Sequence, residues 1–220
     1  MSNVQPNSLR RHAVIAGTGR AGTTLLVEIL TACGLETGYS LEDIEEHKDN
    51  ISNAGLEHSL TKPNCPYLVK DPFFYSYADD VFNDPKVVID HVFIPVRELS
   101  AAAESRRSVN RQNLIKMTWR ERLNYKRFPY TFAGGVFVES RSKGKLEDVL
   151  LSQLTELLLK CSRCHVPVTL LHFPTLAKEP EYLFEKLSPI LKEISLKKFK
   201  EVFSRVVKTE LVHKYNKLDV

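Results

Sequence analysis

The sequence predicts an α/β fold with a central parallel sheet flanked by helices. Short apolar segments of strand type alternate with longer helical segments along the 220 residues, and 43% of the residues are hydrophobic. This alternation is typical of a parallel sheet with helices on both faces. A glycine-rich turn directly follows the first apolar segment. Because ligands of such sheets bind beyond the carboxyl ends of the strands, we expect the functional site at that edge.

Four short apolar runs predict the strands. They span His12–Ala16, Tyr67–Val69, Val87–Val96 and Val166–Phe173. The second run ends at Lys70-Asp71-Pro72, where proline stops regular structure. The third run is apolar enough for a central strand, although it contains Asp90 and His91.

Longer segments with apolar residues three and four positions apart predict the helices. They span Gly22–Cys33, Phe73–Phe82, Leu99–Arg107, Asn113–Tyr125, Leu146–Lys160, Glu179–Leu191 and Lys197–Lys214. The leucine spacing of the fifth segment is the strongest of these patterns. The acidic stretch Glu42–Lys48 is interpreted as helix or loop.

The first residues, the cysteines and the net charge of the chain predict its location and the kind of partner it binds. Met1 to His12 is polar, with no apolar signal-peptide region, so we expect a flexible segment at 1–11 before a domain at 12–220. Four cysteines without an export signal predict free thiols and a cytoplasmic location. No apolar run is long enough for a membrane span. The net charge of +4 suits an anionic ligand. A charge of this size does not require nucleic acid, which we do not expect as a partner. The oligomeric state stays open.

The glycine-rich turn is the most informative motif. Residues 13–26 read AVIAGTGRAGTTLL, a strand that runs through a turn into a helix. Such a turn surrounds an anion, usually a phosphate, with backbone N–H groups and a helix N-terminus. A nucleotide-hydrolysing loop would end in Gly-Lys-Ser/Thr. Here Gly22 is followed by Thr23 and Thr24, and the cation lies earlier, at Arg20. The loop therefore predicts a phosphate site that differs from an ATP-hydrolysing one.

Two other interpretations of this turn remain open. Gly17, Gly19 and Gly22 also fit the Gly-x-Gly-x-x-Gly dinucleotide pattern, which needs a second strand ending in an acid about 20 residues later. The segment 34–43 is polar and poor in β-branched residues, which disfavours that strand. The turn can also be purely structural, with its threonines as helix caps.

Three more polar residues lie at or after predicted strand ends. Lys70 can stabilise negative charge on a leaving group, or it can pair with a neighbouring acid. Arg97 and Ser105, eight residues apart, offer a guanidinium and a hydroxyl to a phosphate. The alternative is that Arg97 is a surface arginine on a solvated helix, an interpretation that also stays open for Arg106, Arg107 and Arg111.

Together these segments resemble the sulfotransferase family that uses 3′-phosphoadenylyl sulfate (PAPS). The family's 5′-phosphate loop, Lys/Arg-Ser-Gly-Thr-Thr-x-Leu, is similar to residues 20–26, with Ala21 in place of serine. Arg97 and Ser105 match its arginine and serine for the 3′-phosphate. The Lys70-Asp-Pro-Phe segment looks like that of the tyrosylprotein branch, where the lysine is catalytic.

The resemblance implies a single P-loop NTPase-like domain that transfers a sulfuryl group from PAPS to a hydroxyl or amine, releasing 3′-phosphoadenosine 5′-phosphate (PAP). It implies a small-molecule, carbohydrate or lipid acceptor and no metal ion. The implied catalytic residues are Lys70, Arg20 and, as general base, Glu42, with Glu36, Asp43 and His47 close by. The implied cofactor-binding residues are Gly19, Arg20, Ala21, Gly22, Thr23, Thr24, Arg97 and Ser105.

The chain also departs from the family pattern. Pro72 stands where cytosolic members have a base histidine, and Leu25 stands where they stack adenine on tryptophan. We therefore keep two alternatives, a nucleotide or nucleoside kinase with a degenerate P-loop and a non-catalytic nucleotide-binding module. Phe173 matches a position where the family often has an aromatic near the cofactor. Residues 107–145, which include Trp119, are our prediction for the acceptor wall.

Overall fold

A computed structural model describes residues 9–136 and 144–207 of the chain. Within these ranges, four strands form one sheet in which every pairing is parallel. They are β1 (Arg10–Ile15), β2 (Leu68–Lys70), β3 (Val87–Val96) and β4 (Val168–His172), and their order across the sheet is β2-β1-β3-β4. The predicted α/β class with a parallel sheet is confirmed.

The described residues form seven α-helices and a short 3-10 helix at Thr175–Ala177. The helices are α1 (Thr23–Ala32), α2 (Phe74–Phe82), α3 (Leu99–Lys116), α4 (Trp119–Arg127), α5 (Lys145–Arg163), α6 (Pro180–Leu187) and α7 (Leu196–Val206). The bounds of β3 were predicted correctly, whereas α3 continues beyond its predicted end and the stretch 42–47 forms turns. Residues 1–8 of the predicted flexible segment and 208–214 of the predicted last helix lie outside the described residues.

Alternation along β1 divides the core into two layers. Ala13 and Ile15 face one side of the sheet and pack with apolar residues of α1, α6 and α7. Val14 and Ala16 face the other side and pack with α2 and α5. All four side chains are at most 1% exposed, which explains why β1 reads as a continuous apolar run.

The strand order creates a crevice between β1 and β3. The chain leaves β1 toward β2 on one side, and it leaves β3 toward β4 on the other. Diverging connections at adjacent parallel strands open a cleft at their carboxyl ends, where ligands of such sheets bind. The glycine-rich turn follows β1, Lys70 ends β2, and Arg97 follows β3, so the topology brings all three to this cleft.

Two further expectations can be compared with the fold. The four cysteines are free thiols, as predicted, with Cys33 and Cys161 buried. No helix in the described parts of the chain has both the length and the apolar character to cross a membrane.

Candidate functional site

The turn between β1 and α1 has a backbone that requires glycine at its end. Gly22 is the N-cap of α1 with φ 87°, in the left-handed region. A Cβ built on Gly22 would lie 3.0 Å from Leu176 Cδ1 and 3.4 Å from Phe173 Cδ2. Arg20 also has a positive φ, 57°, which costs roughly 1–2 kcal/mol for a residue with a side chain. The turn therefore holds Arg20 in a backbone conformation that sequence propensity alone disfavours.

A cavity of about 1130 Å³ opens at the carboxyl ends of the strands. Eight of the ten predicted site residues line it: Gly19, Arg20, Gly22, Thr23, Thr24, Lys70, Arg97 and Ser105. Ligand pockets in proteins commonly measure about 300–1,000 Å³. The cavity is therefore large enough for a nucleotide together with a second molecule.

The other two predicted site residues do not line this cavity. Ala21 is fully buried within the turn. Glu42 is exposed on the turns at 41–47, whereas Glu45 and His47 from the same turns reach the cavity wall. The sequence did not show which side of these turns would face the cleft, because they lack a helical or strand period.

Lys70 lies almost completely buried at the floor of the cavity, with 3% of its surface exposed. Its Nζ donates to Thr24 Oγ1 at 2.9 Å, to Glu57 Oε1 at 2.8 Å and to the Gly55 carbonyl oxygen. The Lys70 ammonium thus lies between Thr24, at the end of the glycine-rich turn, and the carboxylate of Glu57. Lys70 therefore combines the ion pair with a neighbouring acid and a position beside the glycine-rich turn.

Burial lowers the pKa of the Lys70 ammonium from its ordinary value. The positive charge of Arg20 lowers the pKa further, whereas Glu57 opposes both effects through its charge and hydrogen bond. Lys70 therefore loses its proton more readily than an exposed lysine does.

Arg20, Ser105 and Arg97 form one connected group. Arg20 Nε donates to Ser105 Oγ at 3.2 Å, and its Nη1 donates to the Ser52 carbonyl oxygen. Arg97 Nη1 donates to the Arg20 carbonyl oxygen at 3.2 Å, and its guanidinium lies 4.8 Å from the centre of the Phe173 ring. Arg20, predicted to bind the 5′-phosphate end of the donor, thus contacts both Arg97 and Ser105, which are predicted to bind the 3′-phosphate.

Arg106 lines the cavity, so the alternative that it lies on a solvated helix face is wrong. It is 6% exposed, and its guanidinium donates to the Thr18 carbonyl oxygen and, at 2.9 Å, to the Gly135 carbonyl oxygen. Burial, followed by the nearby charge of Arg20, lowers the pKa of Arg106 to about 10. The signal was present in the sequence, because Arg106 follows Ala102 by one helical turn on a face of small, buried residues.

Glu57 was missed by sequence reasoning. It lies in the loop before β2, lines the cavity, and is 42% exposed at its side chain while paired with Lys70. No motif or periodicity distinguishes Glu57 from other acids of this polar loop. Only the fold shows that it is the carboxylate in contact with Lys70.

Part of the segment predicted to form the acceptor wall lines the cavity. Thr131, Phe132, Ala133, Gly134 and Gly135 line the cavity. Tyr125 is buried, with its ring centre 5.3 Å from that of Phe132. Trp119 is 71% exposed and does not reach the cavity wall. Residues 137–143 of this wall lie outside the described residues.

The site combines a helix N-terminus, a glycine-rich turn, two buried cations and two half-buried arginines, features that suit the binding of phosphate or sulfate groups. Comparisons of the chain with protein-family models, with curated proteins and with solved structures find no match. What the site does must therefore be inferred from its own residues.

Proposed function

We propose that the protein is a sulfotransferase that moves a sulfuryl group from PAPS to a hydroxyl or amine acceptor. The observation that carries the proposal is the group of cations around the turn. The positive charge of Arg20 lowers the pKa of both Lys70 and Arg106, so Arg20 repels each of these two buried cations. A bound polyanion would offset that repulsion. The N-terminus of α1 also favours negative charge.

The positions of the cations suit a donor with two separated anionic groups. The turn at Gly19–Thr24, with Lys70 below it, would bind the 5′-phosphosulfate. Arg97, after β3, would bind the 3′-phosphate, with the Ser105 hydroxyl close by. An arginine fork binds a phosphate through two hydrogen bonds. This second contact would distinguish PAPS from ATP, which has no 3′-phosphate.

The chemistry would depend on positioning and charge, as in phosphoryl transfer. PAPS supplies an activated sulfuryl group whose bond to the bridging phosphate oxygen breaks while a bond to the acceptor oxygen or nitrogen forms. Lys70 and Arg20 would stabilise the negative charge that grows on the bridging oxygen. An oxygen of the donor would replace one of the present acceptors of Lys70 Nζ.

The acceptor must lose a proton as the new bond forms. Glu57 is the carboxylate that contacts Lys70 and also faces the cavity. We therefore assign the proton-accepting role to Glu57 in preference to Glu42, which is exposed elsewhere. A general base has to lie within hydrogen-bond reach of the proton that it takes, and Glu57 would meet that condition for an acceptor bound next to Lys70.

Thermal stability with added nucleotides tests the proposal. We expect PAP at 100 times its dissociation constant to stabilise the fold by about 2.7 kcal/mol. For a domain of this size the midpoint of unfolding would rise by roughly 5–10 °C. The same concentration of ATP with Mg²⁺ should give a much smaller rise.

The other outcomes of this titration identify the alternatives. A larger rise with ATP and Mg²⁺ than with PAP would favour a kinase, and no response to either nucleotide would contradict the proposal. Stabilisation by PAP without PAP release from added PAPS, across a panel of hydroxyl and amine acceptors, would favour a non-catalytic nucleotide-binding module.

The pH dependence of turnover offers a further prediction. If the protonated Lys70 is required, activity falls as pH rises through its pKa, which burial places below the ordinary 10.5. In Lys70→Arg the guanidinium stays protonated over this range, so we expect a lower rate but no alkaline decline from this group. The measurement is PAP release from PAPS against pH for both proteins. An identical alkaline decline in both would mean that another group causes it.

A further inference from the structure

The helix α4 presents large apolar side chains to solvent. Trp119 and Leu123, one helical turn apart on the same face, are 71% and 63% exposed. Exposed apolar side chains that are grouped on one surface commonly indicate a binding face.

Basic residues flank this apolar stripe on both sides. With 3.6 residues per turn, Arg120 and Arg127 lie on one side of Trp119 and Leu123, and Arg122 and Lys126 lie on the other. The opposite face of α4 holds Glu121 and the buried Tyr125. The apolar stripe of α4 and the basic residues on both sides of it therefore all face solvent.

Local hydrogen bonds join α4 to the end of α3 and cap its first turn. Arg122 donates to the carbonyl oxygens of Leu114, at 3.0 Å, and Ile115, at 3.2 Å. Thr118 and Glu121 form a capping box at the start of the helix. The helix that carries Trp119 is thus capped at its start and joined to the end of α3.

We propose that this face of α4 binds the surface of an anionic lipid bilayer. An interfacial helix buries tryptophan and leucine at the level of the headgroups while flanking lysines and arginines contact lipid phosphates. Of the two apolar side chains on this face, only Trp119 offers a ring, whereas single-stranded nucleic acid stacks successive bases on several rings. A second copy bound through the same face would bring like charges together, which disfavours that pairing. The binding does not depend on the sulfotransferase proposal.

The single tryptophan of the chain makes the test direct, since Trp119 is its only source of tryptophan fluorescence. Vesicles of phosphatidylcholine mixed with phosphatidylglycerol should shift the emission of the full chain to shorter wavelength and carry the protein into the pellet on sedimentation. Vesicles of phosphatidylcholine alone should do so far less. Added salt should weaken the binding, because it screens the charges.

Matched variants separate the face from general charge. Lys126→Glu with Arg127→Glu should weaken vesicle binding at least about tenfold. Lys192→Glu with Lys197→Glu, the same charge change at exposed positions outside α4, should have a much smaller effect. Leu123→Ser should reduce binding, whereas Leu159→Ser, at another exposed leucine, should not.

Three results would overturn the proposal. The first is an unchanged emission spectrum with anionic vesicles. The second is equal loss of binding in the α4 variants and in their controls. The third is a dimer in solution that Leu123→Ser converts to a monomer, or quenching of Trp119 by an oligonucleotide, without vesicle binding.

Discussion

Replacing Lys70 by methionine is expected to reduce the turnover number by about 10²–10³-fold while PAP binding changes little. The reason is that its ammonium lies 2.9 Å from Thr24 Oγ1, at the end of the turn that would hold the 5′-phosphosulfate. Its charge matters most when negative charge grows on the bridging oxygen, which occurs in the transition state. Loss of an interaction of this kind lowers the turnover number more than the affinity.

The Lys70→Met variant should still fold. Methionine fills a volume similar to that of the lysine chain, and removal of the cation leaves Glu57, whose side chain is 42% exposed and can be hydrated. The large penalty for a buried charge without a partner is therefore avoided. The measurements are the rate of PAP release from PAPS, PAP affinity by calorimetry, and the midpoint of thermal unfolding.

Lys160→Met is the matched control. Lys160 is 8% exposed, pairs with Glu156 at 2.8 Å and donates to the Tyr75 carbonyl oxygen at 2.7 Å. It lies on α5, away from the cavity lining. We expect its replacement to affect stability but not turnover per folded molecule. Normal turnover in Lys70→Met would show that Lys70 serves only in the ion pair with Glu57. An equal loss of turnover in both variants would point to damage of the fold.

Topology explains why most of the site could be predicted from the sequence. The turn after β1, Lys70 at the end of β2 and Arg97 after β3 were each recognisable from a short apolar run followed by a polar residue. In a parallel sheet, the carboxyl ends of all strands meet at one edge. Assigning the strands was therefore enough to place these residues together, although they are far apart in the chain.

The residues that were misplaced or missed depend on loop packing instead. Glu57 and Glu42 both lie in polar segments between α1 and β2, and nothing periodic indicates which acid turns inward. The sequence leaves open a solvated helix face for Arg106, where arginine usually lies. Its position one turn after Ala102 indicates burial, but its partners, the carbonyl oxygens of Thr18 and Gly135, could not be read from the sequence. Both errors come from contacts between segments distant in sequence.

Arg97→Ala is expected to abolish the preference of the protein for a 3′-phosphorylated nucleotide. Hydrogen bonds to charged groups contribute roughly 1.5–3 kcal/mol, so PAP affinity should fall by about 10- to 150-fold. Adenosine 5′-monophosphate lacks the 3′-phosphate and should bind the variant almost as well as the unchanged protein. The comparison needs four dissociation constants, for two ligands and two proteins, measured by calorimetry.

The second ligand separates two possible roles of Arg97. Because Arg97 also donates to the Arg20 carbonyl oxygen and lies over Phe173, its removal can disturb the turn itself. A disturbed turn would weaken both nucleotides equally, whereas loss of a phosphate contact weakens PAP alone. Arg107→Ala, on α3 but paired with Glu147 at 2.8 Å outside the cavity lining, should alter neither affinity. Equal weakening of both ligands in Arg97→Ala would assign Arg97 to support of the turn and would leave the 3′-phosphate without its proposed partner.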